Sequence, residues 1–159
     1  MTYYDKIAEG YDDLHKEEQL KKLRIIKDNL EVKATDKLLD VGAGSGISSD
    51  FNCKVYCLDP SEELLKQIKD KITITGNAEH MPFEDKEFDI VISVTAIHNF
   101  NGIEKGLKEM KRVGKDKFVF SILKKSDKKD LIEKLIKDNF EIDKMIEEEK
   151  DIIYFCKSL

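Results

Sequence analysis

Cysteine is scarce in this chain, and none of it is spaced like a metal or redox site: Cys53, Cys57 and Cys156 form no C-x-x-C pair. Two of them lie in an apolar, strand-like run, so they read as buried reduced thiols in a reducing, cytoplasmic setting. Long apolar runs are missing too. No segment approaches the roughly 20 residues that a bilayer-spanning helix needs. The opening MTYYDKIAEGYDDLH mixes acids and tyrosines and has no apolar stretch of the kind a secretion signal carries, so neither export nor membrane insertion is expected. Positive charge is in deficit, with 28 Lys and Arg against 33 Asp and Glu and a formal net charge of -5. That balance argues against DNA as a partner. It leaves RNA or protein binding to a local basic patch or to one supplied by a partner.

What is present is a soluble, heavily charged composition in 159 residues, enough for one domain with a real core and too little for a second substrate domain. Between Leu14 and Leu30, the residues Leu20, Leu23, Ile26 and Leu30 recur at spacings of three and four, one apolar stripe on a charged helix. KLLDV and KVYCLD then read as buried strands, separated by a glycine stretch and room for only a short helix. SEELLKQIKDK predicts a helix capped by Ser61 that buries Leu64, Leu65 and Ile68. ITIT is a third strand and FDIVISVTAI a fourth. GIEKGLKEMKRVG is an amphipathic helix ending at Gly114, KFVFSIL a fifth strand, and SDKKDLIEKLIKDNF a helix with Ser126 as cap. FEIDKMI and DIIYFCKSL stand too close together for a helical crossover and should pair as an antiparallel hairpin.

The expected fold is therefore α/β: a seven-stranded, mostly parallel sheet, covered by helices on both faces, with an antiparallel C-terminal hairpin. The chain reads as a single domain over 1–159, with 1–30 as an N-terminal covering segment and helix and 36–159 as the sheet core. In such open sheets ligands sit beyond the carboxyl ends of the strands, where GAGSG, LDPS, GNAE and VTAIHN all fall. Gly42, Gly44 and Gly46 follow the first strand, where missing Cβ atoms let a ligand approach the backbone and a following helix would offer free N–H groups. Asp59 stands 19 residues after Asp40, at the end of the second strand. An acid there is the recurrent acceptor for the two ribose hydroxyls of an adenosine-containing ligand. A dinucleotide fits less well, because Ile47 stands where its third glycine would be.

With these residues in place, LLDVGAGSG, CLDPS, GNAEHMPFEDKEFDIVISVTAIHNF and GLKEMKRVGKDKFVFSIL, preceded by YYDKIAEGYDDLH, resemble the ordered motifs of class I S-adenosylmethionine-dependent methyltransferases, type 11 group. The resemblance runs over nearly the whole chain and implies their Rossmann-like fold. It also implies that Asp40 and the backbone of Gly42, Ala43 and Gly44 hold the methionine end of S-adenosylmethionine. Asp59 with Pro60 would take the ribose, and Asn77 and Ala78 the adenine edge. Ser93 and Val94 would line the floor near the sulfonium, and Tyr3 or Tyr11, from the segment that covers the cofactor in this family, would face that cation. Asn77 departs from the family's frequent Asp but can still accept through its side-chain carbonyl.

Methyl transfer from a sulfonium is an in-line displacement that depends chiefly on positioning and exclusion of water. His98, at the end of the fourth strand, is the candidate catalytic residue, able to take a proton from an oxygen or nitrogen nucleophile; its other reading is a structural histidine that closes the strand. No NPPY-like tetrapeptide follows the fourth strand, which argues against enzymes that methylate adenine or glutamine amides through that motif. The resemblance favours a small-molecule acceptor. RNA or a protein, methylated with the help of a partner subunit, stays open, as do a nucleotide-dependent oxidoreductase and a non-catalytic S-adenosylmethionine-binding protein.

Overall fold

A computed structural model describes residues 3–159, with side chains from Leu14 onward. After helix α1 (Tyr3–Asn29) come β1 (Lys37–Val41), β2 (Lys54–Asp59), the single-turn α2 (Glu62–Leu65), β3 (Ile72–Thr75) and β4 (Phe88–Val94). A 3-10 turn at Ile97–Asn99 leads to α3 (Ile103–Val113), β5 (Gly114–Leu123), α4 (Lys129–Asn139), β6 (Phe140–Glu147) and β7 (Asp151–Ser158). All seven strands join one sheet in the order β3-β2-β1-β4-β5-β7-β6. The first five run parallel, and β7 inserts antiparallel between β5 and β6. The expected hairpin forms, and β7 is the strand it seats inside the sheet.

Strand alternation divides the core. Leu39, Val41, Val91, Phe118 and Phe120 face α3 and α4, meeting Leu107, Met110, Val113, Ile132 and Ile136. Leu38, Ile90, Ile92 and Val119 face the other way, onto Leu23 and Ile26 of α1 and Leu65. Because both faces are covered, the strands read as continuous apolar runs.

Five local expectations need correction. No helix follows the glycine turn: residues 42–53 form a chain of turns closed by Gly46 N–H to Ala43 O at 3.0 Å and Ser49 N–H to Gly46 O at 3.1 Å. The Ser48 and Ser49 hydroxyls are drawn down to the Asp40 carboxylate, and α1 supplies the cover that the missing helix would have given. In α2, Ser61 caps as expected by accepting from Leu64 N–H at 3.2 Å, yet the helix stops after one turn and Leu64 stays exposed. Ser126 accepts from Lys128 N–H, but α4 begins only at Lys129, so the serine closes the turn before the helix and does not cap it. Gly114 ends α3 with φ -97° and enters β5 directly. The stripe on α1 is also rotated: Leu20 is exposed, whereas Gln19 and Lys22 are buried beside Leu23 and Ile26.

Candidate active site

β1 and β4 end side by side at the middle of the sheet, and the β1–β2 and β4–β5 connections leave on opposite faces, opening a crevice over their carboxyl ends. The crevice has a volume of about 740 Å³. Gly42 to Ser45, Asp59, Pro60, Leu64, Val94 to Ala96, Asn99 and Phe100 line it, and α1 contributes His15, Lys16 and Gln19. A recess of about 60 Å³ continues from it between Val41, Pro60, Asn77, Ala78 and Phe100. Pockets of several hundred Å³ suit a cofactor-sized ligand.

The glycine turn divides its labour. Gly42 sits at φ +77°, and a Cβ there would lie 2.5 Å from Ala96 Cβ, so packing against the end of β4 alone forbids a side chain. Gly44, at φ +58°, has nothing within 4 Å of its would-be Cβ. Its bare Cα faces the crevice, and it is the glycine whose missing side chain leaves space for a ligand. The first N–H groups of the turn are not free as expected: those of Gly42 and Ala43 both donate to Leu58 O, at 2.8 and 3.1 Å. With no helix behind the turn, β2 is the nearest acceptor.

Asp59 closes β2 and is buried, only 8% exposed as a residue. One oxygen accepts from Gly44 N–H and the other from Ser61 N–H, each at 2.9 Å. These bonds fix the carboxylate plane and leave one lone-pair direction on each oxygen, enough for two hydroxyl donors. Pro60 lines both cavities and Asn77 and Ala78 line the recess. That recess is held by Arg112 of α3, which donates to Met81 O, Phe83 O and the carboxylates of Asp85 and Glu109. Glu109 in turn accepts from Met81 N–H at 3.0 Å.

Asp40 and Ser93 lie beneath the crevice, outside its lining. Asp40 is fully buried; its Oδ2 accepts from Ser49 at 2.5 Å, and burial pushes its carboxyl up to about 6. It therefore shapes the glycine turn from below. Ser93 is buried and donates to Val41 O at 2.8 Å, tying β4 to β1. Val94 does form part of the floor. Tyr3 and Tyr11 have side chains outside the described residues. His98 is half-buried on the 3-10 turn, next to the lining residue Asn99; burial lowers its pKa, and its backbone carbonyl accepts from Lys128 Nζ at 3.0 Å. Buried Cys57 and Cys156 have thiols pushed up to about 12 by burial, which leaves them unreactive.

Sequence reasoning missed the polar group under α1. Lys22 and Asp151 form an ion pair at 3.2 Å, with side chains 4% and 0% exposed. Between them Thr95 Oγ1 accepts from Lys22 Nζ at 2.9 Å and donates to Asp151 Oδ2 at 2.6 Å, and Ser121 Oγ accepts from Thr95 N–H at 2.8 Å. Thr95 takes φ +51°, a left-handed conformation that is an outlier for a β-branched residue and is sustained here by bonds to Lys22, Asp151 and Ser121. The group joins α1, the end of β4, β5 and β7 directly below the crevice.

Against this geometry, residues 39–121 match the model of the methyltransferase domain. The chain belongs to that family. An uncharacterized protein of Methanocaldococcus jannaschii is 36% identical over 146 residues, covering 87% of this chain and 57% of its own length. A demethylmenaquinone methyltransferase of Thermotoga maritima is 31% identical over 133 residues, covering 74% and 57%. The chain thus spans little more than half the length of these curated relatives. An S-adenosylmethionine-dependent methyltransferase structure from Aquifex aeolicus superposes with a TM-score of 0.70 over 91% of this chain and 89% of its own, at 18% identity, a likeness of fold. The family's cofactor is S-adenosylmethionine, and the residues present fit it: a doubly anchored acid, an unobstructed Gly44, and a recess that continues from the crevice.

Proposed function

We propose that this chain transfers a methyl group from S-adenosylmethionine to a small-molecule acceptor. The observation that carries this reading is the placement of Asp59 and the bare Gly44 on one wall of a crevice wide enough for a cofactor and a second molecule. Asp59 and Pro60 hold the ribose, Asn77 and Ala78 border the adenine, and Gly44 lets the ligand lie against backbone. When bound, the cofactor supplies an electrophilic methyl group on a sulfonium. The chain's own task is to exclude water and aim a nucleophile at it.

Ile47, Leu64, Val94, Ala96 and Phe100 give the crevice an apolar wall, and Asp59 is the one acid among the described residues that line it, so a largely apolar acceptor without a positive charge suits it. The curated relatives named demethylmenaquinone methyltransferases point the same way. His98, kept neutral at pH 7 by its lowered pKa, is the proton acceptor in this proposal.

Radiolabelled S-adenosylmethionine incubated with the protein and separated pools of metabolites, RNA and protein tests the reading. Label should pass to a small molecule, and His98→Gln should slow transfer most at and above neutral pH, where the imidazole is unprotonated, and least in acid, without changing cofactor affinity. Label appearing only in RNA or protein refutes the acceptor class. S-adenosylhomocysteine should raise the melting temperature by several degrees at about 100-fold excess over Kd, and NAD should not.

A further inference from the structure

The two outer strands of the sheet are finished differently. On the β6 side, Glu141, Asp143, Lys144 and Glu147 stand along the edge, and a bulge breaks the register between Ile142 and Lys144. Charge and irregularity of this kind keep a sheet edge from pairing with another chain. On the β3 side the edge is Ile72, Thr73, Ile74 and Thr75, β-branched throughout, uncharged and in unbroken register with β2. Three of its four residues are exposed, Ile72 by 39%. Its shortness is its one protection, and it offers another strand an open ladder.

The ladder fixes where its backbone groups point. Gly76 N–H donates to Asp59 O on β2 at 3.1 Å, and successive residues of a strand turn their N–H and C=O groups to alternate sides. Ile72 and Ile74 therefore face β2, and Thr73 and Thr75 face outward. That outward set is complementary to itself about a two-fold axis. In an antiparallel pairing centred on Ile74, Thr73 of one copy stands opposite Thr75 of the other, and each such pair exchanges two N–H···O bonds, four in all. The two Ile74 side chains meet on the face that packs toward α3. Ile72 of one copy lies opposite Gly76 of the other, where no side chain competes for the space, and the two threonine pairs meet on the opposite face. A net charge of -5 makes two copies repel, and residues 72–76 bring no charge to the contact. We propose that β3 is a dimerisation edge, pairing antiparallel with β3 of a second copy in this register to make one continuous sheet.

Antiparallel pairing turns the strand ends of the two copies in opposite directions, so the two crevices open at opposite edges of the joined sheet and neither copy closes the other's. Four hydrogen bonds and a few side chains fall short of the roughly 1,200 Å² that stable complexes bury. The dimer therefore exchanges with monomer, and its fraction depends on concentration.

Sedimentation of the wild-type chain from about 1 μM to about 1 mM tests this, and the average mass should climb from that of one chain toward that of two. Two double variants test the register. Thr73→Lys/Thr75→Lys and Thr73→Glu/Thr75→Glu each set like charges opposite one another in both threonine pairs, at exposed positions where folding should be unaffected, and each should stay monomeric. An equal mixture sets opposite charges face to face and should recover the dimer. Hydrogen exchange on the wild-type chain needs no variant: the Thr73 and Thr75 amides should exchange several-fold more slowly in concentrated than in dilute protein. A wild-type chain that is still monomeric at about 1 mM overturns the proposal and leaves the edge to a strand from another protein. A dimer that both variants retain, a mixture of folded variants that stays monomeric, or a dimer whose Thr73 and Thr75 amides are unprotected also overturns it.

Discussion

Removing one member of the Lys22–Asp151 pair should be among the most destabilising single changes this protein can suffer. Asp151→Ala leaves the Lys22 ammonium, 4% exposed, with no counter-charge and deprives Thr95 Oγ1 of its 2.6 Å acceptor. Lys22→Met leaves a fully buried carboxylate with the Thr95 hydroxyl and nothing positive beside it. Breaking a buried pair from one side costs about 3–5 kcal/mol, most of it the desolvation of the survivor. In a chain of this length each kcal/mol shifts Tm by roughly 2–4 °C, so either variant should melt roughly 6–20 °C lower. The double variant Lys22→Met/Asp151→Leu removes both charges and should recover most of the loss. The assay is urea denaturation of all four proteins, closed as a double-mutant cycle. Single variants that each cost under about 1 kcal/mol, or losses that simply add, would refute the reasoning and show that water reaches the pair.

Burial that raises the Asp40 carboxyl to about 6 has a definite sign. The folded state holds the proton more tightly than the unfolded one, so this group's contribution to stability is greatest below about pH 4, declines as pH rises toward 6, and is level above that. Asp40→Asn should flatten the stability profile between pH 4 and 6, measured by denaturation at a series of pH values. At the glycine turn, Gly42→Ala should lose stability from both its positive φ and the collision with Ala96, whereas Gly44→Ala bears only the backbone strain, of about 1–2 kcal/mol. Adding bulk at Gly44, as in Gly44→Val, should abolish S-adenosylhomocysteine binding in a protein that calorimetry of unfolding shows to be still folded.

Period and punctuation carried the fold: β-branched runs separated by amphipathic helices named every strand, and the short gap between β6 and β7 forced a hairpin. Local signals failed where a distant residue decided the outcome. The helix expected after the glycine turn does not form because Asp40 and Leu58 capture its serines and N–H groups. Lys22 was invisible because its counter-charge lies at the far end of the chain, and an amphipathic count scores a lysine as solvent-facing. Asp59 was legible from its spacing after Asp40 and its place at a strand end, whereas Pro60, Asn77 and Ala78 were named only by the family resemblance; the structure sets them on the lining of the crevice or its recess. Asp40 and Ser93 occupy motif positions too, yet strand alternation turns them beneath the crevice.

The measurement that tests the account most directly is the dissociation constant of S-adenosylhomocysteine for the wild-type chain, Asp59→Ala and Asp50→Ala. Asp59 has both oxygens anchored by backbone N–H groups and still one lone pair on each for the ribose, so losing two charge-assisted bonds, discounted for solvent, should weaken binding about tenfold to a hundredfold. Asp50 is exposed and pairs with Lys27 at 3.7 Å, outside the crevice lining, so its removal should leave affinity unchanged. A wild-type chain that fails to bind, or an affinity that Asp59→Ala does not move, contradicts the account.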